Sequence, residues 1–288
     1  MSIVFRKLAL GGGAMKGLLH VGALKELSKT QELKFPDGVY GSSIGSIIAT
    51  YIAFGLPIDK MIPLTQKYLN LETIIPTPEF SHFIDSFSRK GIFTMDLFET
   101  RICEMFSEAG IDISSKKLND ANMPLHIITS NITKKVPTIL SGNVSILSAL
   151  KCSCCIPALF KPQELYGQLY IDGDILSPCI SNIVDIDETT LVISLLKQSA
   201  RDVNSNNIEK ISPLEYAQSL YLAVIIQLYK IQSKPGVLHL RYPGLHSTSK
   251  IEDINIDKIF EYSSEALRTF LSERSNKKSF ETSRTRIS

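Results

Sequence analysis

The sequence predicts an α/β fold built on a mainly parallel sheet. Three observations carry that expectation. The first 55 residues run strand, glycine turn, helix, and then repeat that order. Apolar runs short enough for strands alternate along the chain with stretches at helical spacing. The composition is that of an ordinary globular protein, with 44 % of its 288 residues hydrophobic and 21 % charged. A chain of this length can bury a substantial core.

Residues 5–10 (FRKLAL) read as a buried strand, and Gly11, Gly12 and Gly13 as the turn that ends it. Residues 15–29 follow at helical spacing, with Leu18, Leu19, Val21, Leu24 and Leu27 as the apolar positions. Val39 and Tyr40 form a second short strand that runs into Gly41-Ser42-Ser43-Ile44-Gly45. Residues 47–54 are an apolar helical run stopped by Gly55 and Pro57. From 57 to 119 the pattern is mainly helical, broken around Pro76 and Pro78. Residues 125–129 and 136–140 read as strands, 145–155 as a helix, and 169–171 and 190–194 as strands. A long apolar helix at 213–231 precedes a late strand at 237–240. No repeat and no linker rich in Gly, Pro or Ser divides the chain, so residues 1–272 are expected to form one domain. Residues 273–288 are polar and mildly basic, and are expected to be a frayed or disordered tail.

A formal net charge of +2 gives no support to nucleic-acid binding, which calls for a strongly basic face. The cysteines are Cys103, Cys152, Cys154, Cys155 and Cys179. An odd number with three inside four residues makes a poor disulfide framework. Zinc spacing is lacking too, so they read as reduced, small apolar side chains, with no metal site and no cofactor expected. The chain has no uncharged apolar run of about 18 residues, and its N-terminal apolar stretch is too short for a signal peptide. An intracellular, cytoplasmic protein without a transmembrane helix is the expectation.

The string Gly41-Ser42-Ser43-Ile44-Gly45 is a GxSxG pattern between a strand and a helix. A sharp turn there lifts Ser43 out of the sheet, and Gly41 and Gly45 remove the Cβ atoms that would clash. The helix that follows offers free amides and a positive dipole end to a developing negative charge. The earlier loop, Gly11-Gly12-Gly13-Ala14-Met15-Lys16-Gly17, fails as a Walker loop because Leu18 follows the last glycine. It also fails the dinucleotide fingerprint in either register, although Asp37 lies at about the distance of a ribose acid. An oxyanion hole remains, with Lys16 adding positive charge, beside the plainer reading of a tight turn. A serine needs a base. His239 and His246 fit the order of a Ser–acid–His hydrolase. Asp172, in Tyr170-Ile171-Asp172-Gly173-Asp174, sits at a strand end and is the better candidate, with an acidic β-turn as the alternative.

Taken together these motifs resemble the patatin-like phospholipase family, whose members are Ser-Asp dyad lipid acyl hydrolases of three-layer α/β/α architecture. Residues 11–27 (GGGAMKGLLHVGALKEL) are similar to its first loop and helix, and 41–49 (GSSIGSIIA) to its elbow. Residues 149–162 (ALKCSCCIPALFKP) resemble the segment before its aspartate, and 170–174 complete the order. The resemblance covers residues 5–180. It implies that Ser43 is the nucleophile, Asp172 its base, and amides around Gly12, Gly13 and Ala14 the oxyanion hole, with Lys16 in the family's basic position. Two residues depart from the pattern: Ala14 stands for a third glycine, and Asp174 for the glycine or alanine usual after Asp172-Gly173. A second carboxylate so near can raise the proton affinity of Asp172.

The implied activity is release of fatty acid from phospholipid or lysophospholipid esters, of phospholipase A or lysophospholipase type, through an acyl-serine and without metal. The alternatives are an α/β-hydrolase esterase with a histidine base, and a catalytically weak lipid-binding protein of the same fold. Lipid must come from a membrane surface. The helix at 213–231 carries Tyr216, Tyr221 and Tyr229 and reads either as an interfacial or lid helix or as a core-packing one. The basic tail could add weak attraction to anionic lipid.

Overall fold

Apolar runs with β-branched residues between glycine turns become strands, and the segments with a helical apolar stripe cover them. The computed structural model describes residues 3–69, 71–75, 90–197, 203–211, 213–246 and 248–285. The strands are β1 (Lys7–Leu10), β2 (Val39–Ser42), β3 (Gly91–Phe93), β4 (Leu125–Asn131), β5 (Val136–Leu140), β6 (Ala158–Phe160), β7 (Gln163–Leu165), β8 (Gln168–Asp172), β9 (Thr190–Leu195) and β10 (Val237–Leu240). The helices are α1 (Leu18–Leu27), α2 (Ile44–Ala53), α3 (Ile58–Tyr68), the single turn α4 (Leu71–Ile74), α5 (Asp96–Glu108), α6 (Ile146–Cys154), α7 (Pro213–Gln232) and α8 (Ile256–Thr285).

The central sheet runs β10-β9-β1-β2-β4-β8-β7, and β5 also pairs with β4. The first five of these strands are parallel to one another, while β5, β7 and β8 pair antiparallel. Leu8, Leu10, Val39, Ile127, Ile193 and Leu240 point into the larger core, against α1 and α2. Their alternates Ala9, Ile128, Val192 and Val237 pack on the opposite face with Ile180 and Val184. Helix α7 joins that second layer through Tyr229, which donates to Ser194 Oγ at 3.1 Å, and Gln232, which donates to the Leu176 carbonyl at 2.9 Å.

The pairing of β4 has a consequence for the site. Residues 127–128 pair with both β2 and β5, and residues 129–131 with both β5 and β8. A strand has two edges, so β5 holds one and β2 and β8 share the other. They meet end to end, β2 rising to Ser42 opposite Ile128 and β8 descending to Asp172 opposite Thr129.

The described part of the stretch 57–119 is mainly helical, as expected, but it also holds a strand: β3 lies within it and pairs in parallel with β6 as a separate ribbon. Strands of three residues are too short to leave a periodic pattern. The breaks at Pro76 and Pro78 lie outside the described residues. The polar tail does not fray at Glu273, because α8 continues to Thr285. Arg274 donates to the carbonyls of Thr190 and Asp187 at 3.0 and 3.2 Å, and its guanidinium lies 5.6 Å from the Phe5 ring centroid and 5.5 Å from that of Phe270. A cation stacked on two rings holds this turn to the body of the molecule. No helix among the described residues is long and apolar enough to cross a membrane.

Candidate active site

Because β8 occupies the edge of β4 just beyond β2, the chain must leave the sheet abruptly after Ser42. It does so at Ser43, whose φ of 52° and ψ of −127° lie outside the regions open to ordinary residues. Gly41 is the last β2 residue paired with β1, opposite Leu10. Gly45 begins the helical climb so close to β1 that a Cβ there would stand 2.2 Å from the Leu10 carbonyl oxygen. The Ser43 amide donates to Ser153 Oγ at 2.9 Å, and the Ser153 hydroxyl donates to the Ile128 carbonyl at 2.7 Å. Helix α2 starts at the next residue and directs its N-terminus at the serine.

The turn aims the Ser43 hydroxyl at Asp172, to whose Oδ2 it donates at 2.6 Å. The other oxygen, Oδ1, accepts the Asp174 amide at 2.9 Å, and the Asp172 amide donates to the Cys155 carbonyl at 2.8 Å. Asp172 is only 4 % exposed. Burial pushes its carboxyl up to about 7, and the charge of Asp174 adds to the rise; hydrogen bonds from Ser43 and the Asp174 amide, with the Lys197 charge, pull the other way. Gly173 then crosses so near β4 that a Cβ would lie 2.4 Å from the Ile128 carbonyl oxygen.

The glycine loop lies beside the elbow and is held at several points. Gly11 donates to the Ile193 carbonyl at 3.0 Å and accepts Nε2–H of His20 at 2.7 Å. Burial drives the His20 ring down to about 4, so it is a neutral tie and no base. Gly12 differs from expectation: its amide donates to Asp174 Oδ1 at 3.2 Å and is not turned to the serine. The amides of Gly13 and Ala14 donate to no described residue. Ala14 takes a φ of 48°, a left-handed conformation that suits the glycine it replaces. A tight turn carries the loop through Lys16 to Gly17, where α1 begins. Lys16 also differs from expectation, being 5 % exposed and donating from Nζ to the Leu196 carbonyl at 2.9 Å. Burial, then the like charge of Lys197, lowers its ammonium to about 8. It braces the loop from within.

Asp174 Oδ1 also accepts the Ser42 hydroxyl at 2.8 Å, and its Oδ2 forms an ion pair with Lys197. Sequence reasoning missed Lys197, since one lysine past a strand carries no pattern. The candidate histidine base is occupied elsewhere: the His239 ring contacts Tyr229 Oη at 2.5 Å and Ser233 Oγ at 3.1 Å. His246 hydrogen-bonds through its amide to Ser249 Oγ at 2.8 Å. All five cysteines are free thiols. Burial pushes Cys152 and Cys155 up to about 12, which makes them inert packing groups. Helix α7 is apolar on more than one side. Ile225 and Tyr229 are buried, while Leu220, Val224 and Ile231 form a stripe exposed at 54, 66 and 79 %.

The chain is similar to known proteins in sequence and in fold. A family model described as patatin-like phospholipase matches residues 8–181. The probable lipid hydrolase 463L of Invertebrate iridescent virus 6 is 32 % identical over 179 residues, 59 % of this chain and 60 % of its own length. Uncharacterized protein R571 of Acanthamoeba polyphaga mimivirus is 30 % identical over 176 residues, 58 % of this chain and 57 % of its own. The chain thus covers less than two thirds of the length of both these viral relatives. Among solved structures, VipD from Legionella pneumophila is similar in fold, with a TM-score of 0.56 at 15 % identity over 94 % of this chain and 67 % of that one.

Proposed function

The chain belongs to the patatin-like phospholipase family, a family of lipid hydrolases, and from that premise we propose that it is a phospholipase A or lysophospholipase with Ser43 as nucleophile and Asp172 as base. The single observation that carries the reading is the 2.6 Å hydrogen bond from a serine on a strained turn to a buried carboxylate. The Ser43 hydroxyl attacks the ester carbonyl while its proton passes to Asp172 Oδ2. The oxyanion meets the amides of Gly13 and Ala14, neither of which has another described acceptor. Collapse expels the lysolipid or glycerophosphodiester alcohol, which takes the proton back from Asp172. Water then gives its proton to Asp172 and attacks the acyl-serine, and Ser43 leaves reprotonated with the fatty acid released. A carboxyl poised at about 7 suits this shuttle, since it accepts and returns the proton near neutral pH.

The exposed Leu220, Val224 and Ile231 stripe supports a peripheral encounter with a lipid surface. The test is fluorophosphonate labelling together with fatty-acid release from phosphatidylcholine, lysophosphatidylcholine and triacylglycerol. The wild-type protein labels at Ser43 and favours the first two substrates. Ser43→Ala and Asp172→Ala each lose activity by about 10³-fold or more. Retention of wild-type activity in either variant overturns the dyad, and preference for triacylglycerol overturns the phospholipid assignment.

A further inference from the structure

Four strand ends converge on one carboxylate. Asp174, after β8, accepts the amide of Gly12, after β1, at 3.2 Å and the hydroxyl of Ser42, on β2, at 2.8 Å. It pairs with Lys197, after β9, whose Nζ donates to the Gly12 carbonyl at 2.8 Å. Gly12 is therefore gripped through both its amide and its carbonyl. The ion pair is nearly buried, with side-chain exposures of 8 % for Lys197 and 16 % for Asp174. Removing two charges from water is costly, so a pair of this kind is weak support for stability and is better explained by the geometry it fixes. The geometry in reach is that of Gly13 and Ala14, the residues next to the one held.

We propose that Asp174, with Lys197 as its counter-ion, is a positioning residue that clamps the glycine loop to the nucleophile strand and so sets the Gly13 and Ala14 amides for the oxyanion. It touches no substrate and acts through Gly12. The inference rests on the acyl-transfer reading above and deepens it. Lys197 belongs to no local motif, and the clamp forms only because β9, β1, β2 and β4 lie in that order with β8 on the edge of β4.

Two double variants test the clamp without leaving a lone buried charge. Asp174→Asn with Lys197→Met keeps an acceptor oxygen for Gly12 and Ser42. Asp174→Ala with Lys197→Met removes it. On a soluble short-chain ester the asparagine double keeps kcat within about threefold of wild type, while the alanine double loses about 10- to 100-fold in kcat with little change in KM. Hydrogen exchange of residues 11–17 accelerates in the alanine double and stays near wild type in the asparagine double. Equal kcat and equal exchange in the two doubles overturn the clamp. An inactive wild-type protein unlabelled at Ser43 overturns the acyl-transfer reading instead, and the exchange contrast still decides the clamp.

Discussion

The two strand-to-helix turns of the site stand side by side on the sheet, after β1 and β2, and each holds one non-glycine residue at positive φ. Ala14 lies at 48° and Ser43 at 52°. Their strain has different origins. At Ser43 the conformation is imposed from outside, by β8 on the edge ahead and β1 beneath, and it delivers a hydroxyl to Asp172. At Ala14 the backbone needs the left-handed turn, but the methyl only lines a small apolar cavity with Met15, Leu18 and Ile44. One turn uses its unusual residue, and the other tolerates it. Strain alone therefore does not mark a functional residue, whereas strain with a side chain aimed at a partner does.

The largest way to break this comparison is to fill the space beneath the elbow. A Cβ at Gly45 would meet the Leu10 carbonyl oxygen at 2.2 Å and that of Gly11 at 2.8 Å, so both turns would have to move. Gly45→Ala is expected to cost about 3 kcal/mol or more in denaturant unfolding, in the range of severe strain and overpacking. A loss below about 1 kcal/mol would mean that the turns are not packed on each other as described.

Burying the Asp172 carboxyl beside the elbow has a cost in stability. A carboxyl raised to about 7 from its ordinary 3.8 binds its proton more tightly in the folded state. Its stabilising contribution is present below pH 3.8 and is lost as pH rises through about 7. Under the proposed dyad activity runs the opposite way, because Asp172 as base must be ionised, so the acid limb of kcat should lie near pH 7. Asp172→Asn should then raise Tm at pH 8 while changing it little at pH 4, with activity gone at both. An equal Tm at pH 8 would remove the claim that the base is held at the expense of the fold.

The elbow was readable in the sequence because its glycines mark steric limits at fixed spacing, and Asp172 because an aspartate-glycine pair after an apolar strand marks a strand end. What could not be read depends on strand order. The end-to-end meeting of β2 and β8 follows from which edges of β4 are taken, and no local pattern records that. The partnership of Asp174 with Lys197, and with it the capture of the Gly12 amide, has the same cause. The docking of Arg274 on the body of the molecule is not legible in the polar tail, because its partners Phe5, Asp187 and Thr190 lie far away in the chain.

The smallest effect sharpens the comparison most. Ala14→Gly relieves a left-handed residue, worth about 1–2 kcal/mol, against up to about 1 kcal/mol of added freedom in the unfolded chain. The net gain should be about 0.5 kcal/mol in urea unfolding, with the rate of fluorophosphonate labelling at Ser43 within about twofold of wild type. Ser43→Gly relieves the same strain next door and abolishes labelling altogether. If Ala14→Gly instead slowed labelling tenfold without loss of stability, the Ala14 methyl would be holding the oxyanion amides in place, and the two strained residues would be functional equals.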